Sequence, residues 1–295
     1  MTELKTTGAF PAAPRLSRLG ARVGHTGLLT GGAIVAFWFL VALLAPVLAP
    51  HPPFDQDLSA RLVRPVFMGG GWDYPLGRDH LGRDELSRLL HGARTSLLVG
   101  FGTILCSALI GVSLGLAAGF FGGRVDTAVL FLLNIRLSLP IMLAAIALVG
   151  LLGNSLWLMM LILALFLWDQ FLVVTRALTM RLREADYVLA AKSAGFSDRA
   201  ILAREILPNI AGPLLIVATL EMAHAIMLES ALSFLGLGIR PPLASWGLMM
   251  AESKEAIFFD PWLVNLPGLA ILSLVAGITL LGEGLRGLIE RGGQG

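Results

Sequence analysis

Tyr187–Asn209 reads YVLAAKSAGFSDRAILAREILPN and lies between two long apolar segments. Lys192, Asp198, Arg199, Arg204 and Glu205 keep it out of a lipid core, where each charge costs about 2.5–3.5 kcal/mol on insertion scales. It is not a random polar loop either, because Ala and Leu recur at helical spacing, with one glycine and one proline as punctuation. The spacing predicts two short helices. The first runs to about Ala194 and is followed by Gly195, a residue that accepts the positive φ of a helix C-terminus. Ser197 or Asp198 caps the second. Pro208, which has no amide hydrogen, is expected to end it where the next apolar segment begins.

The rest of the chain explains the setting. Of 295 residues, 56% are hydrophobic and 14% charged, with a mean hydropathy of +0.79. Soluble domains carry about 25% charged residues, so the composition is that of a membrane protein. A net charge of +2 gives no basis for nucleic-acid binding. The single cysteine, Cys106, excludes an internal disulfide or a cysteine-rich metal site.

A membrane-spanning helix needs roughly 20 apolar residues. Six windows qualify: Leu28–Ala49, Ser96–Phe120, Ala128–Leu152, Leu156–Val174, Ile210–Leu237 and Trp262–Leu281. The first is too long for a secretory h-region and reads as a retained helix. The expected organisation is a tail over 1–27, a first membrane helix over 28–49, an external segment over 50–95, a five-helix core over 96–288 and a tail over 289–295. Arg and Lys are more numerous in the segments that lie inside when the N-terminus is cytoplasmic. That orientation puts both termini, and the stretch 180–209, in the cytoplasm. Residues 1–25 are expected to be a flexible tail or a short amphipathic lead.

Two readings of the helical pair stand side by side. It is a solvated hairpin linking two membrane helices, or a docking element whose stripe of Val188, Ala191 and Ala194 lets another surface approach closely. The stretch resembles the cytoplasmic EAA loop of ABC-importer permeases, in which a proline follows a glycine by thirteen residues, as Pro208 follows Gly195. The family's Glu-Ala-Ala falls on Leu189, Ala190 and Ala191, so a leucine stands where the family has its acid. YPLGRDHLGRDELSRLLHGARTSLLVG (Tyr74–Gly100), GLAAGFFGGRVD (Gly115–Asp126), ESALSFLGLGIRPPLASWG (Glu229–Gly247), LPGLAI (Leu266–Ile271) and LGEGLRG (Leu281–Gly287) resemble, in order, the dipeptide, oligopeptide and nickel permease family.

The resemblance implies an all-α type I importer fold with six membrane helices in a bacterial inner membrane. The chain would be one half of a heterodimeric pore and would import peptides, with nickel chelates, glutathione or opines as other cargoes. Implied partners are a homologous permease, two ABC ATPases and an extracytoplasmic solute-binding protein. Tyr187, Ala190, Ala191, Gly195, Ser197, Asp198, Arg199, Ile206 and Pro208 would form the ATPase-coupling loop. ATP and Mg would belong to the ATPases and no cofactor to this chain, whose only Lys-Ser pair, Lys192-Ser193, follows Ala191 and not the glycine of a P-loop.

Ionisable residues inside membrane windows mark functional sites by default. Arg136, Asp169, Glu221, His224 and Glu229 are such residues, and with Met227 they are the candidate translocation pathway. Glu221, His224 and Met227 recur at steps of three, so the acids and the histidine are expected to face the pore, where they would meet a peptide's amine. The alternative is ion pairing that fixes helix register, as for Arg136 with an acid. Glu221 and His224 also form one Glu-x-x-His pair, too few ligands for a metal. GVSLG (Gly111–Gly115) matches a serine-nucleophile pattern, and an intramembrane protease using Ser113 and His224 is the alternative of another class. Gly111, Gly115 and Gly119 equally form a small-residue ridge for helix packing. Trp72, Trp246 and Trp262 are expected at the membrane interface, and His51, His80 and His91 at the surface.

Overall fold

The structure, a computed structural model, describes residues 14–292, with the side chains of residues 26–289. Eleven α-helices occur among them: α1 (Pro14–Leu48), α2 (Glu85–Phe121), α3 (Gly123–Leu137), α4 (Ile141–Leu152), α5 (Leu156–Ala164), α6 (Asp169–Leu182), α7 (Asp186–Ser193), α8 (Asp198–Ile201), α9 (Leu207–Phe234), α10 (Trp246–Glu252) and α11 (Trp262–Gly292). The stretch from Asp198 to Phe234, with α1, α2 and α11, supplies four helices long and apolar enough to cross a membrane. The bent pairs α3–α4 and α5–α6 raise the number of spans to six. Residues 1–13 of the expected tail lie outside the described residues, and from Pro14 the chain is already helical.

Two of the six apolar windows are therefore broken. α3 and α4 meet at 85° across Ser138–Pro140, where the proline removes a donor and its ring crowds the preceding turn. α5 and α6 meet at 43°, and no glycine or proline lies at that break. What holds it open is described with the site.

Small residues set two close helix crossings. A Cβ on Gly111 would lie 2.3 Å from Trp168 O, one on Gly115 2.6 Å from Thr175 Cβ, and one on Gly119 2.7 Å from Arg176 O. The glycine ridge is the surface on which α2 lies against α6. At the other crossing, a Cβ on Gly31 of α1 would lie 2.4 Å from Leu281 N of α11. Both are the close backbone approaches that stabilise helix pairs in lipid.

Trp246 and Trp262 are buried, so neither lies at a membrane surface, whereas Trp72 is exposed. Trp246 Nε1 donates to Leu89 O at 2.9 Å and its ring meets Trp38 edge-on at 4.8 Å. Trp38 Nε1 in turn donates to Ser273 Oγ at 2.9 Å. A buried indole N–H is stabilised by a partner, and these two bonds with the Trp38–Trp246 ring contact tie α1, α2, α10 and α11 together.

The segment between α1 and α2 is a folded layer. Asp79 is fully buried; its Oδ2 accepts from Arg83 Nε at 2.6 Å and from Arg88 Nη1 at 2.5 Å. The same arginines reach Glu252 at the end of α10, at 2.7 and 2.5 Å. Burial pushes the Asp79 carboxyl up, but Arg88 and Arg83 outweigh it and hold it below its ordinary value. His51 stacks on Tyr74, His91 Nδ1 lies 2.9 Å from Ser87 O, and His80 is half-buried, so the three histidines are built into this end of the protein.

Candidate coupling hairpin and translocation surface

α7 ends as its sequence requires. Gly195 has φ +83°, its N–H donates to Lys192 O at 3.1 Å, and Phe196 N–H donates to Ala191 O at 3.1 Å. This pair of bonds closes the last turn and reverses the chain. Ser197 caps α8 by accepting from Ala200 N at 3.4 Å, and Asp198 is its first residue.

Pro208 does not stop the helix. One π-helical turn, Leu202–Ile206, joins α8 to α9, with Leu207 N–H donating to Leu202 O. The wider turn accommodates the proline ring, which would crowd a regular helix. Asn209 Nδ2 donates to Glu205 O at 2.6 Å. The hairpin is therefore continuous with α9 from Asp198 to Phe234.

The hairpin has a buried seam and an open face. Val188, Ile201, Ile206 and Ile210 form a core with Leu116, Phe120, Leu178 and Leu182 from the ends of α2 and α6. Lys192 lies 5.7 Å from the Phe120 ring. The Val188–Ala191 side of the small-residue stripe thus faces this chain and is not free for a partner. The open face carries Tyr187, Leu189, Ala190, Phe196, Ser197, Asp198, Arg199 and Pro208, all exposed. Leu189, in the family's glutamate position, puts an apolar group there.

The membrane-window residues divide into three groups. Arg136 Nη1 lies 3.1 Å from Asp169 Oδ2, its Nε donates to Phe166 O at 2.9 Å, and Nη2 donates to the same oxygen. Phe166 lies in the break between α5 and α6, so Arg136 satisfies a carbonyl that the broken helix leaves without a partner. Glu229 is fully buried and accepts from Ser233 Oγ at 2.7 Å, on its own helix. Glu221 is buried too, its Oε1 3.3 Å from His224 Nδ1. Only His224 and Met227 are exposed. The acids of α9, expected to face the pore, are turned into this chain: a step of three turns a helix about 300° and not a full circle, which separates buried Glu221 from exposed Met227.

Ser113 Oγ lies 2.6 Å from Leu109 O and 2.9 Å from Ile110 O, carbonyls of its own helix. The serine is turned back on its own backbone, and the protease reading has no geometry behind it. Among the described residues, no group of three His, Cys, Asp or Glu side chains could hold a metal ion.

Residues 111–292 match the family described as binding-protein-dependent transport system inner membrane component. The chain belongs to that family. Residues 24–65 match the N-terminal transmembrane domain of oligopeptide transport permease C. The chain is 40% identical to a di/tripeptide transport system permease protein, DppC, of Pseudomonas aeruginosa, over 90% of this chain and 88% of that one. It is 38% identical to a dipeptide transport system permease protein of Haemophilus influenzae, over 90% of each chain. A chain of the MetNI methionine ABC transporter shares the fold, with TM-score 0.53 at 16% identity, covering 70% of this chain and 95% of that one. The chain is thus a multi-pass permease of a bacterial inner membrane.

Proposed function

We propose that this permease imports peptides, that its Tyr187–Pro208 hairpin docks on a cytosolic ATPase, and that it pairs with a homologous permease to enclose the pathway. The observation that carries the docking is the hairpin's two-sidedness. Its buried seam fixes it to α2, α6 and α9, and its open face presents apolar and charged groups together. A rigid knob transmits displacement to the helices that hold it, where a loose loop would absorb it. Both termini lie on the hairpin's side, in the cytoplasm. The peptide cargo is supported by the dipeptide permeases that this chain resembles over most of its length. Hydrolysis of ATP belongs to separate subunits.

The test is disulfide trapping from Ser197→Cys in a Cys106→Ala background, within the assembled transporter. Crosslinks to the ATPase are expected. Crosslinks to the extracytoplasmic binding protein would invert the orientation, and their absence from every partner would remove the docking role.

A further inference from the structure

Over its membrane-crossing half, α9 is open on one stripe. Leu220, His224, Met227 and Phe234 are exposed and Ala231 is half-buried, at steps of four and three. The remaining sides of the helix pack on α2, α4, α5, α6, α10 and α11. Every residue of the stripe but one is apolar. The exception, His224, is held through Nδ1 by Glu221 from behind, while more than half of its side chain stays open.

The charges behind His224 can be counted. Glu221 lies on α9, and Asp169 is the first residue of α6, which packs against α9. Arg136 of α3 pairs with Asp169. Two carboxylates against one guanidinium leave one negative charge over. No other side chain offsets it: α2 from Ser96 to Phe121, all of α4 and α5, and α11 from Trp262 to Gly282 carry no acidic or basic side chain, and Arg176 further along α6 is held by Asp126. Glu252 of α10 is already held by Arg83 and Arg88. An unbalanced charge in an apolar span is costly, and a proton on His224 removes it.

We infer that His224, backed by Glu221, is a cation on the pathway that receives the carboxylate of the passing cargo. The inference rests on the peptide-permease reading and adds the end of the cargo that is contacted. An imidazolium held through Nδ1 has one N–H left to donate, and a charge-assisted bond to a carboxylate is the contact that it makes best. The carboxylates of α9 lie behind the imidazole, so a cargo ammonium finds no open acid on this stripe. A single point contact among apolar neighbours also suits a group that must be released again.

The test uses the complete transporter in proteoliposomes, with its partner subunits and binding protein. Import of labelled dialanine and of dialanine amide is measured, each normalised to the fraction of binding protein loaded. The free acid is expected to move about tenfold faster than the amide, as one charged hydrogen bond would provide. His224→Gln should erase that difference, His224→Lys should keep it, and His224→Glu should abolish import of the free acid. Glu221→Gln should match His224→Gln, and the double variant should lose no more than either, because the two act through one charge. Undiminished discrimination in His224→Gln, or normal import by His224→Glu, overturns the inference. So does complete protection of His224→Cys from a water-soluble thiol reagent in every state of the cycle, a readout that does not depend on import. Wild-type transporter that hydrolyses ATP but moves neither compound overturns the peptide reading itself, and the carboxylate contact with it.

Discussion

Arg136 Nε donates to the carbonyl oxygen of Phe166 at 2.9 Å, across 30 residues of sequence. The acceptor belongs to the break between α5 and α6, and the donor is also paired with Asp169. One side chain therefore satisfies both an interrupted helix and a membrane-window acid. Arg136→Ala leaves the Asp169 carboxylate without its cation and the Phe166 carbonyl without its donor, and breaking such a pair costs about 3 kcal/mol or more. Thermal unfolding in detergent is expected to fall markedly, and Arg136→Lys should recover part of the loss, since one ammonium cannot reproduce the guanidinium fork.

Gly195→Val should uncouple transport without preventing insertion. At φ +83° a β-branched side chain is strained by about 1–2 kcal/mol, and the turn relaxes by redirecting Phe196 and Ser197. The expected pattern is reduced uptake with the subunit still present in the membrane. Normal uptake by both Gly195→Val and Gly195→Pro would show that the turn does not aim the hairpin.

Gly115→Val should damage the α2–α6 crossing. Its Cβ alone would lie 2.6 Å from Thr175 Cβ and 2.8 Å from Leu172 O, the latter a backbone atom that cannot rotate away. Overpacking of this kind costs about 1–3 kcal/mol. A lower unfolding temperature is expected, with Gly150→Ala, where a Cβ meets nothing within 4 Å, as the control that changes little.

Asp79 predicts an acid limit for the external layer. Its carboxyl is held below its ordinary value once Arg88 and Arg83 outweigh burial. A depressed folded-state pKa contributes stability that is complete above the ordinary carboxylate range and is lost as pH falls through the depressed value. Unfolding followed against pH should show this contribution whole and unchanging around neutrality, with a decline only in acid. Asp79→Asn should be destabilised at neutral pH and show a smaller part of that decline.

Much of the hairpin was legible in its residues. Gly195 marks the reversal and Ser197 the cap because both effects are local, within four residues of the chain. The glycine ridge of α2 was legible for the same reason. The broken α5–α6 span was not, because nothing between Ala164 and Asp169 signals a break; its carbonyl is satisfied by Arg136 from another helix. The directions of Glu221 and Glu229 were also hidden. α9 is apolar nearly all round, so periodicity could not say which side was open, and packing by α2, α6, α10 and α11 decided it. The join of the external layer to α10 links Arg83 and Arg88 to Glu252, a separation at which no spacing rule operates.

The π turn at Leu202–Ile206 holds one residue more than an α-helix would use there. Each residue of an α-helix turns the chain by about 100°, so the direction in which the hairpin points around the α9 axis is set by a count of residues. Loss of that extra residue would let the turn close as an ordinary α-turn with the hairpin pointing nearly as before, whereas loss of a residue from the regular helix after it would leave every surface of the hairpin chemically intact and turn it by about 100°. In that regular stretch chain length, more than side-chain identity, sets where the hairpin points.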